Sequence, residues 1–189
     1  GGIAQRIPPA RDQRDEVQRA FQTAVDGRSD IILSSAGVSV GTADLVRGVI
    51  EEMGTINFWR VNLRPGKPLA YGQLAGLPFF GLPGNPVSAM VTFDVFVRPV
   101  ILKMSGRTDQ PYTLPAALSE RLSSDGRRSY IRVTLKREAD RWIATPTGTQ
   151  SSGAISSMVK ADGLLILPEG ITHAAEGEIF QVRVLRLPD

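Results

Sequence analysis

Between Leu63 and Ser88 the chain carries two loops whose backbone is set by proline and glycine: Arg64-Pro65-Gly66-Lys67-Pro68, and Gly81-Leu82-Pro83-Gly84-Asn85-Pro86-Val87-Ser88. Proline fixes φ and glycine lets the backbone approach a ligand, so each loop holds its amides and cations in one geometry with little further loss of entropy on binding. The runs between them, Leu69 to Gln73 and Leu77 to Gly81, are short and apolar around Ala75-Gly76 and predict two strands. A third loop upstream, Ser34-Ser35-Ala36-Gly37-Val38-Ser39-Val40-Gly41-Thr42-Ala43-Asp44, adds hydroxyls, flexible backbone and a carboxylate. Together the three loops outline a polar pocket suited to an anion.

The elements around these loops indicate the fold class. Val17, Ala20, Phe21, Ala24 and Val25 recur at helical spacing with Gly27 just past them. Asp30 to Ser34 follows as an apolar run of the kind buried on both faces of a parallel sheet. Leu45, Val46, Val49, Ile50 and Met53 mark a second helix stopped by Gly54, and Thr55 to Leu63 is rich in β-branched and aromatic residues. Asn85 and Pro86 read as the N-cap and first residue of a long apolar helix that runs through about Lys103. Pro99 should kink it or end its regular part. This alternation predicts an α/β domain over residues 1–108, with a mostly parallel sheet in three layers and its ligand beyond the carboxyl ends of the strands.

Gly106 to Pro115 has no apolar periodicity and reads as a linker. Beyond it, Ser129 to Leu135, Arg141 to Thr145, Gly163 to Leu167 and Ile179 to Leu187 predict strands separated by turn signals such as Asp125-Gly126 and Glu169-Gly170. Ser151 to Lys160 suggests one short helix. A small C-terminal β barrel over residues 109–189 is expected.

Composition narrows the chemistry. The net charge of +3 comes from 22 basic and 19 acidic residues spread along the chain, so no block of positive charge points to nucleic acid. There is no cysteine and a single histidine, His173, expected at the surface; disulfides, thiol catalysis and a transition-metal cluster are excluded. No apolar run approaches the roughly 20 residues of a membrane span, and no signal peptide opens the chain, so the expected location is the cytoplasm. Chemistry here would rest on positioning, cations and a hard metal such as Mg²⁺.

Lys67, between Gly66 and Pro68, can present its ammonium to a phosphate or oxyanion, though an isolated turn lysine is more often merely solvated. Asp44 can bind a divalent cation or accept a hydrogen bond, or simply favour a helix N-terminus. Ser34, Ser35 and Ser39 can donate to an anion or satisfy the end of a strand. Gly84-Asn85-Pro86 sets backbone amides at a helix start, for an anion or for capping alone.

The three motifs, in this order, closely resemble those of the molybdopterin molybdenumtransferase family, to which the E domain of gephyrin is related. Thr145-Pro146-Thr147-Gly148-Thr149-Gln150-Ser151-Ser152-Gly153 is similar to that family's Gly-x-Gln-Ser-Ser region, so the resemblance covers essentially the whole chain. It implies a molybdopterin-binding α/β domain followed by a β barrel. It also implies an activity in which adenylylated molybdopterin and molybdate are converted, with Mg²⁺, to molybdenum cofactor and AMP. By the same resemblance Asp44, Lys67 and Arg64 are the catalytic candidates, with Asp44 near the metal or pterin phosphate and the two cations on phosphate or molybdate. Ser34, Ser35, Gly37, Ser39, Gly66, Pro83, Gly84, Asn85, Pro86 and Ser88 would line the pterin pocket.

Three positions depart from the family pattern. Ala36 stands where glycine is usual, Thr42 where an acid is common, and Arg64 where lysine is frequent. A positive φ at Ala36 would strain the loop, and Thr42 would remove a metal ligand. Family members begin with two further domains and a Thr-Gly-Asp-Glu-Leu-like loop, so the resemblance is to a C-terminal portion. It implies a homodimer in the full-length protein and weak binding and turnover by this portion alone. A molybdopterin-binding scaffold or partner-binding module without turnover is the alternative, as is the related molybdopterin adenylyltransferase, which generally lacks the barrel.

Overall fold

The computed structural model describes residues 2–36, 43–108 and 110–187. They form two compact units, Gly1–Val61 with Gly66–Arg107, and Asn62–Pro65 with Thr108–Asp189. The division expected near residue 108 is joined by a short excursion, because Asn62–Pro65 belongs to the second unit.

The first unit is α/β. Helix α1, Arg14–Asp26, buries Val17, Phe21 and Ala24 at its apolar positions and ends at Gly27. The Phe21 ring meets that of Phe79 edge-on, with centroids 5.6 Å apart. Helix α2, Ala43–Met53, buries Val46, Val49 and Ile50 into the same core. The sheet comprises β1 (Ile32–Ser35), β2 (Gly54–Arg60), β4 (Pro68–Leu74) and β5 (Leu77–Leu82), in the order β1-β5-β4-β2.

Among the described strands, β1 and β5 pair in parallel, while β5 with β4 and β4 with β2 are antiparallel. The parallel run expected from the helix–strand alternation is therefore confined to β1 and β5. The reason is local: Ala75 and Gly76 take φ of 47° and 81°, the positive values of a two-residue hairpin turn, and so fold β5 back on β4.

The long helix predicted after Asn85 is interrupted as expected near Pro99. Helix α3, Pro86–Thr92, passes through a π-helical turn, Phe93–Val97, into α4, Arg98–Met104. Pro99 has no N–H to offer the carbonyl one turn earlier, and the ladder widens just before it.

The second unit is a closed barrel. Its strands are β6 (Thr113–Leu118), β8 (Arg128–Glu138), β9 (Arg141–Pro146), β10 (Gly163–Leu167) and β12 (Ile179–Val184), linked as β10-β12-β6-β9-β8 and back to β10. Two-residue strands β7 (Leu122–Ser123) and β11 (His173–Ala174) pair with each other, and α5 spans Ile155–Lys160. Leu114, Leu118, Ile131, Val133, Leu135, Leu165, Leu167, Phe180 and Val182 fill the interior. Strand β3, Leu63–Arg64, adds to β8 in parallel, with Arg64 opposite Ser129.

Strand β6 begins inside the stretch read as a linker. Its Pro115 is exposed opposite Gln181, and its alanines carry little strand signal. No helix among the described residues is long and apolar enough to cross a membrane.

Candidate functional site

The parallel pair β1 and β5 brings two of the three motif loops together. Ser34 lies opposite Gly81 and Ser35 opposite Leu82, and the Ala36 amide donates to the Leu82 carbonyl at 3.1 Å. Both loops thus leave the sheet at the carboxyl ends of their strands, where open α/β sheets bind ligands. Ala36 takes a φ of 70°, the left-handed conformation that its sequence position raised as a source of strain. Gly84 comes against it: a Cβ at residue 84 would stand 3.1 Å from Ala36 Cβ.

Asn85 occupies the N-cap of α3, yet its side chain makes no capping hydrogen bond; its backbone carbonyl instead accepts from the Ala89 amide at 2.9 Å. Asn85 Oδ1 and Ser34 Oγ are both buried without a hydrogen-bond partner among the described residues. An unsatisfied buried polar atom costs about 1–3 kcal/mol, and these two oxygens at the strand ends are left without a partner by the described residues. Ser88 is buried in the first turn of α3, where its carbonyl accepts from the Thr92 hydroxyl at 2.8 Å. Pro83 is buried, while Ser35, Gly84 and Pro86 are exposed. Gly37, Ser39, Thr42 and the side chain of Asp44 lie outside the described residues.

Gly66 is buried with a φ of 118°, and the Lys67 carbonyl accepts from the Val61 amide at 3.0 Å, which fixes the start of β4. The Lys67 side chain is exposed, and among the described residues its ammonium has no ion-pair or hydrogen-bond partner. Trp59, near this loop in sequence, lies on β2, where Arg47 stacks on its ring at 5.9 Å; β2 is the edge of the sheet opposite β1. No group of three or more histidine or acidic residues among the described residues is placed to hold a metal ion.

Arg64 is found in the second unit, beside the turn before β8. Its Nη1 lies 3.7 Å from Asp125 Oδ2. Asp125 is held more closely by Arg127: it accepts from the Arg127 amide at 3.2 Å, from Nε at 3.1 Å and from Nη2 at 2.5 Å. The Arg127 side-chain bonds are the main cause that lowers the Asp125 pKa from 3.8 to about 2, with the charge of Arg64 a smaller one. The same contact raises the Arg127 pKa. Arg127 Nη1 also donates to the Leu63 carbonyl at 3.3 Å, so one side chain grips both Asp125 and strand β3.

Arg132 on β8 is 1% exposed, the largest fully buried side chain of the described residues. Its Nε donates to Ser157 Oγ at 3.1 Å, and its Nη2 to the carbonyls of Ser151 at 2.9 Å and Thr149 at 3.3 Å. Gln150 closes the arrangement by accepting from the Arg132 amide at 3.0 Å and donating to its carbonyl at 3.1 Å. Burial, and then the nearby charge of Arg64, push the Arg132 pKa down from its usual value. The Gln-Ser-Ser segment is thus wrapped around a buried cation.

Arg132, Gln150, Asp125 and Arg127 were not among the sequence candidates. Arg132 alternates with the barrel-facing Ile131 and Val133, and an outward basic residue on a strand reads as solvated. The available signal was Gln150-Ser151-Ser152, a polar segment after the β9 run whose side chains could serve a buried group.

Comparison with known proteins finds relatives of both units. A family described as "Probable molybdopterin binding domain" matches residues 1–103, and the family of the "MoeA C-terminal region (domain IV)" matches residues 115–185. The molybdopterin molybdenumtransferase of Haemophilus influenzae is 34% identical over 177 residues, which is 90% of this chain and 43% of that protein. Gephyrin of Dictyostelium discoideum is 33% identical over 88% of this chain and 27% of its own length. The crystal structure of the molybdopterin biosynthesis MoeA protein of Pyrococcus horikoshii superposes with a TM-score of 0.79 at 32% identity, covering 95% of this chain and 43% of that one. The chain thus spans less than half the length of these relatives. With both of its units matched in order, this chain belongs to the molybdopterin molybdenumtransferase family, of which it represents the molybdopterin-binding domain and the C-terminal β barrel.

Proposed function

We propose that the chain is the part of a molybdenum cofactor biosynthesis enzyme that takes adenylylated molybdopterin and molybdate, with Mg²⁺, to molybdenum cofactor and AMP. The observation that supports this most is the pair of buried, unpartnered oxygens, Ser34 Oγ and Asn85 Oδ1, at the ends of the strands that carry the family's motifs. Ser34, Ser35, Gly37, Ser39, Pro83, Gly84, Asn85, Pro86 and Ser88 line the pterin side, and Gly66 lets the backbone turn in behind Lys67.

Lys67 in the first unit and Arg64 in the second each hold an oxyanion, molybdate or phosphate. Lys67 is a compact, exposed cation with no partner among the described residues, so its charge is available to the substrate. Fixed cations on rigid loops stabilise charge that develops as the phosphoanhydride breaks, without reorganising at that moment. Mg²⁺ sites at phosphates commonly use one or two carboxylates together with phosphate oxygens, and Asp44 with the adenylyl phosphates matches that donor set. When bound, such an ion would neutralise charge on the phosphates. The presence of the barrel favours this reading over the adenylyltransferase. The full-length protein is proposed to act in the cytoplasm as a homodimer.

The test is AMP release from adenylylated molybdopterin by the full-length protein, with molybdate and Mg²⁺, comparing Lys67→Ala and Asn85→Ala with the parent. A loss of tenfold or more in kcat/KM, about 1.4 kcal/mol of transition-state stabilisation, is expected for Lys67→Ala. Unchanged turnover and unchanged pterin affinity in both variants would overturn the proposal.

A further inference from the structure

We propose that Asp125 is an internal counter-ion for Arg64: a carboxylate that occupies the arginine until an oxyanion takes its place, and so sets how tightly molybdate is held. The inference rests on the reading of Arg64 as an oxyanion-binding residue.

The two ends of the Asp125–Arg64 contact differ in how firmly they are fixed. Asp125 is locked by three hydrogen bonds from Arg127, which is itself attached to the Leu63 carbonyl on β3. Arg64 is held at 3.7 Å, beyond hydrogen-bond reach, and both side chains are about two-fifths exposed. Among the described residues this is the one ion pair Arg64 makes. When Arg64 turns to an incoming anion, Asp125 keeps all of its Arg127 bonds, so no carboxylate is left unpaired and the exchange carries little cost.

A counter-ion is needed because the surroundings are cationic. Arg127 and the buried Arg132 are both close enough for charge coupling within this cluster, and the partners of the Arg132 guanidinium are carbonyls and a hydroxyl. Asp125 also remains ionised throughout the neutral range. It therefore opposes any oxyanion at Arg64 in two ways: by competing for the guanidinium and by repelling the anion. Arg64 stands where the family often has lysine, and its longer, forked head is suited to reaching an adjacent carboxylate.

The test is molybdate affinity of the full-length protein, by equilibrium dialysis at low ionic strength, for the parent, Asp125→Asn, Arg64→Ala and the double variant, with Asp125→Glu as a charge-retaining control. Asp125→Asn should tighten binding by about three- to tenfold, and the gain should shrink in high salt. Asp125→Glu should stay near the parent. In the Arg64→Ala background the gain should fall within twofold. Weaker or unchanged binding in Asp125→Asn, with thermal stability retained, overturns the proposal, as does an equal gain in both backgrounds. If Arg64→Ala leaves affinity unaltered while Lys67→Ala weakens it, the assignment of Arg64 itself fails, a result separate from failure of the counter-ion.

Discussion

Gly84 faces Ala36 so closely that a Cβ at residue 84 would stand 3.1 Å from Ala36 Cβ and 3.4 Å from its Cα. Two motif loops are therefore packed backbone to side chain, at a residue already held at a φ of 70°. Gly84→Ala should destabilise the first unit by about 1–2 kcal/mol through overpacking. Ala36→Gly should stabilise it by about 1 kcal/mol, since a left-handed alanine carries that order of strain. The double variant should recover most of the Gly84→Ala loss, because the clashing methyl is gone. Urea denaturation of the four proteins checks this, and simple additivity would contradict it.

Acid should weaken the second unit through Asp125. Its folded pKa, about 2, lies below the ordinary 3.8, so the stability it contributes is present above pH 3.8 and is lost as pH falls through about 2. Asp125→Asn should flatten that part of the acid-unfolding curve and leave the curve above pH 5 nearly parallel to the parent. Circular dichroism at stepped pH is the measurement.

Removing the Arg132 head group should be costly. Arg132→Met keeps much of the stem but leaves the carbonyls of Thr149 and Ser151 and the Ser157 hydroxyl without their shared donor. A loss of about 3 kcal/mol is expected, together with faster proteolysis between Thr149 and Ser157. A variant as stable and as resistant as the parent would mean that water replaces the guanidinium without penalty.

The unpartnered oxygens predict an opposed pair of effects. Ser34→Ala should leave stability unchanged or raise it by about 1 kcal/mol, because it removes a buried acceptor and donor that no described residue satisfies. The same change should lower molybdopterin affinity several-fold. A variant that loses stability and keeps affinity would show that the hydroxyl serves the fold and not the ligand. Thermal melts and a pterin titration followed by tryptophan fluorescence report the two quantities.

Much of the fold was legible where spacing or turn chemistry is strong. Val17, Phe21 and Ala24 declared α1, Gly163 to Leu167 declared β10 residue for residue, and Pro99 announced the break in the long helix. Strand β6 was hidden because its signal is carried by its partners: Ala116 and Ala117 become strand residues only when β9 and β12 lie beside them. The site divides in the same way. The Pro- and Gly-rich loops name Lys67, Gly84 and Asn85 from sequence alone, since the backbone conformations they impose are local. The Arg127 bond to the Leu63 carbonyl depends on β3 and β8 meeting across more than sixty positions of chain, and the loop around Arg132 on partners 17 to 25 positions away, which local pattern does not encode.

The excursion of Asn62–Pro65 bears on how such a protein can be inherited. The Asn62 side chain donates from Nδ2 to the Glu169 carboxylate, Leu63 and Arg64 add a strand to β8, and the excursion is pinched at its base by the Val61–Lys67 backbone bond. A barrel cut out as a cassette from residue 108 onward would leave behind one of its own strands and the arginine that strand carries. Recombination at the apparent boundary is then disfavoured, and substitutions on β8 and in the Arg64 loop should be selected as a single heritable unit.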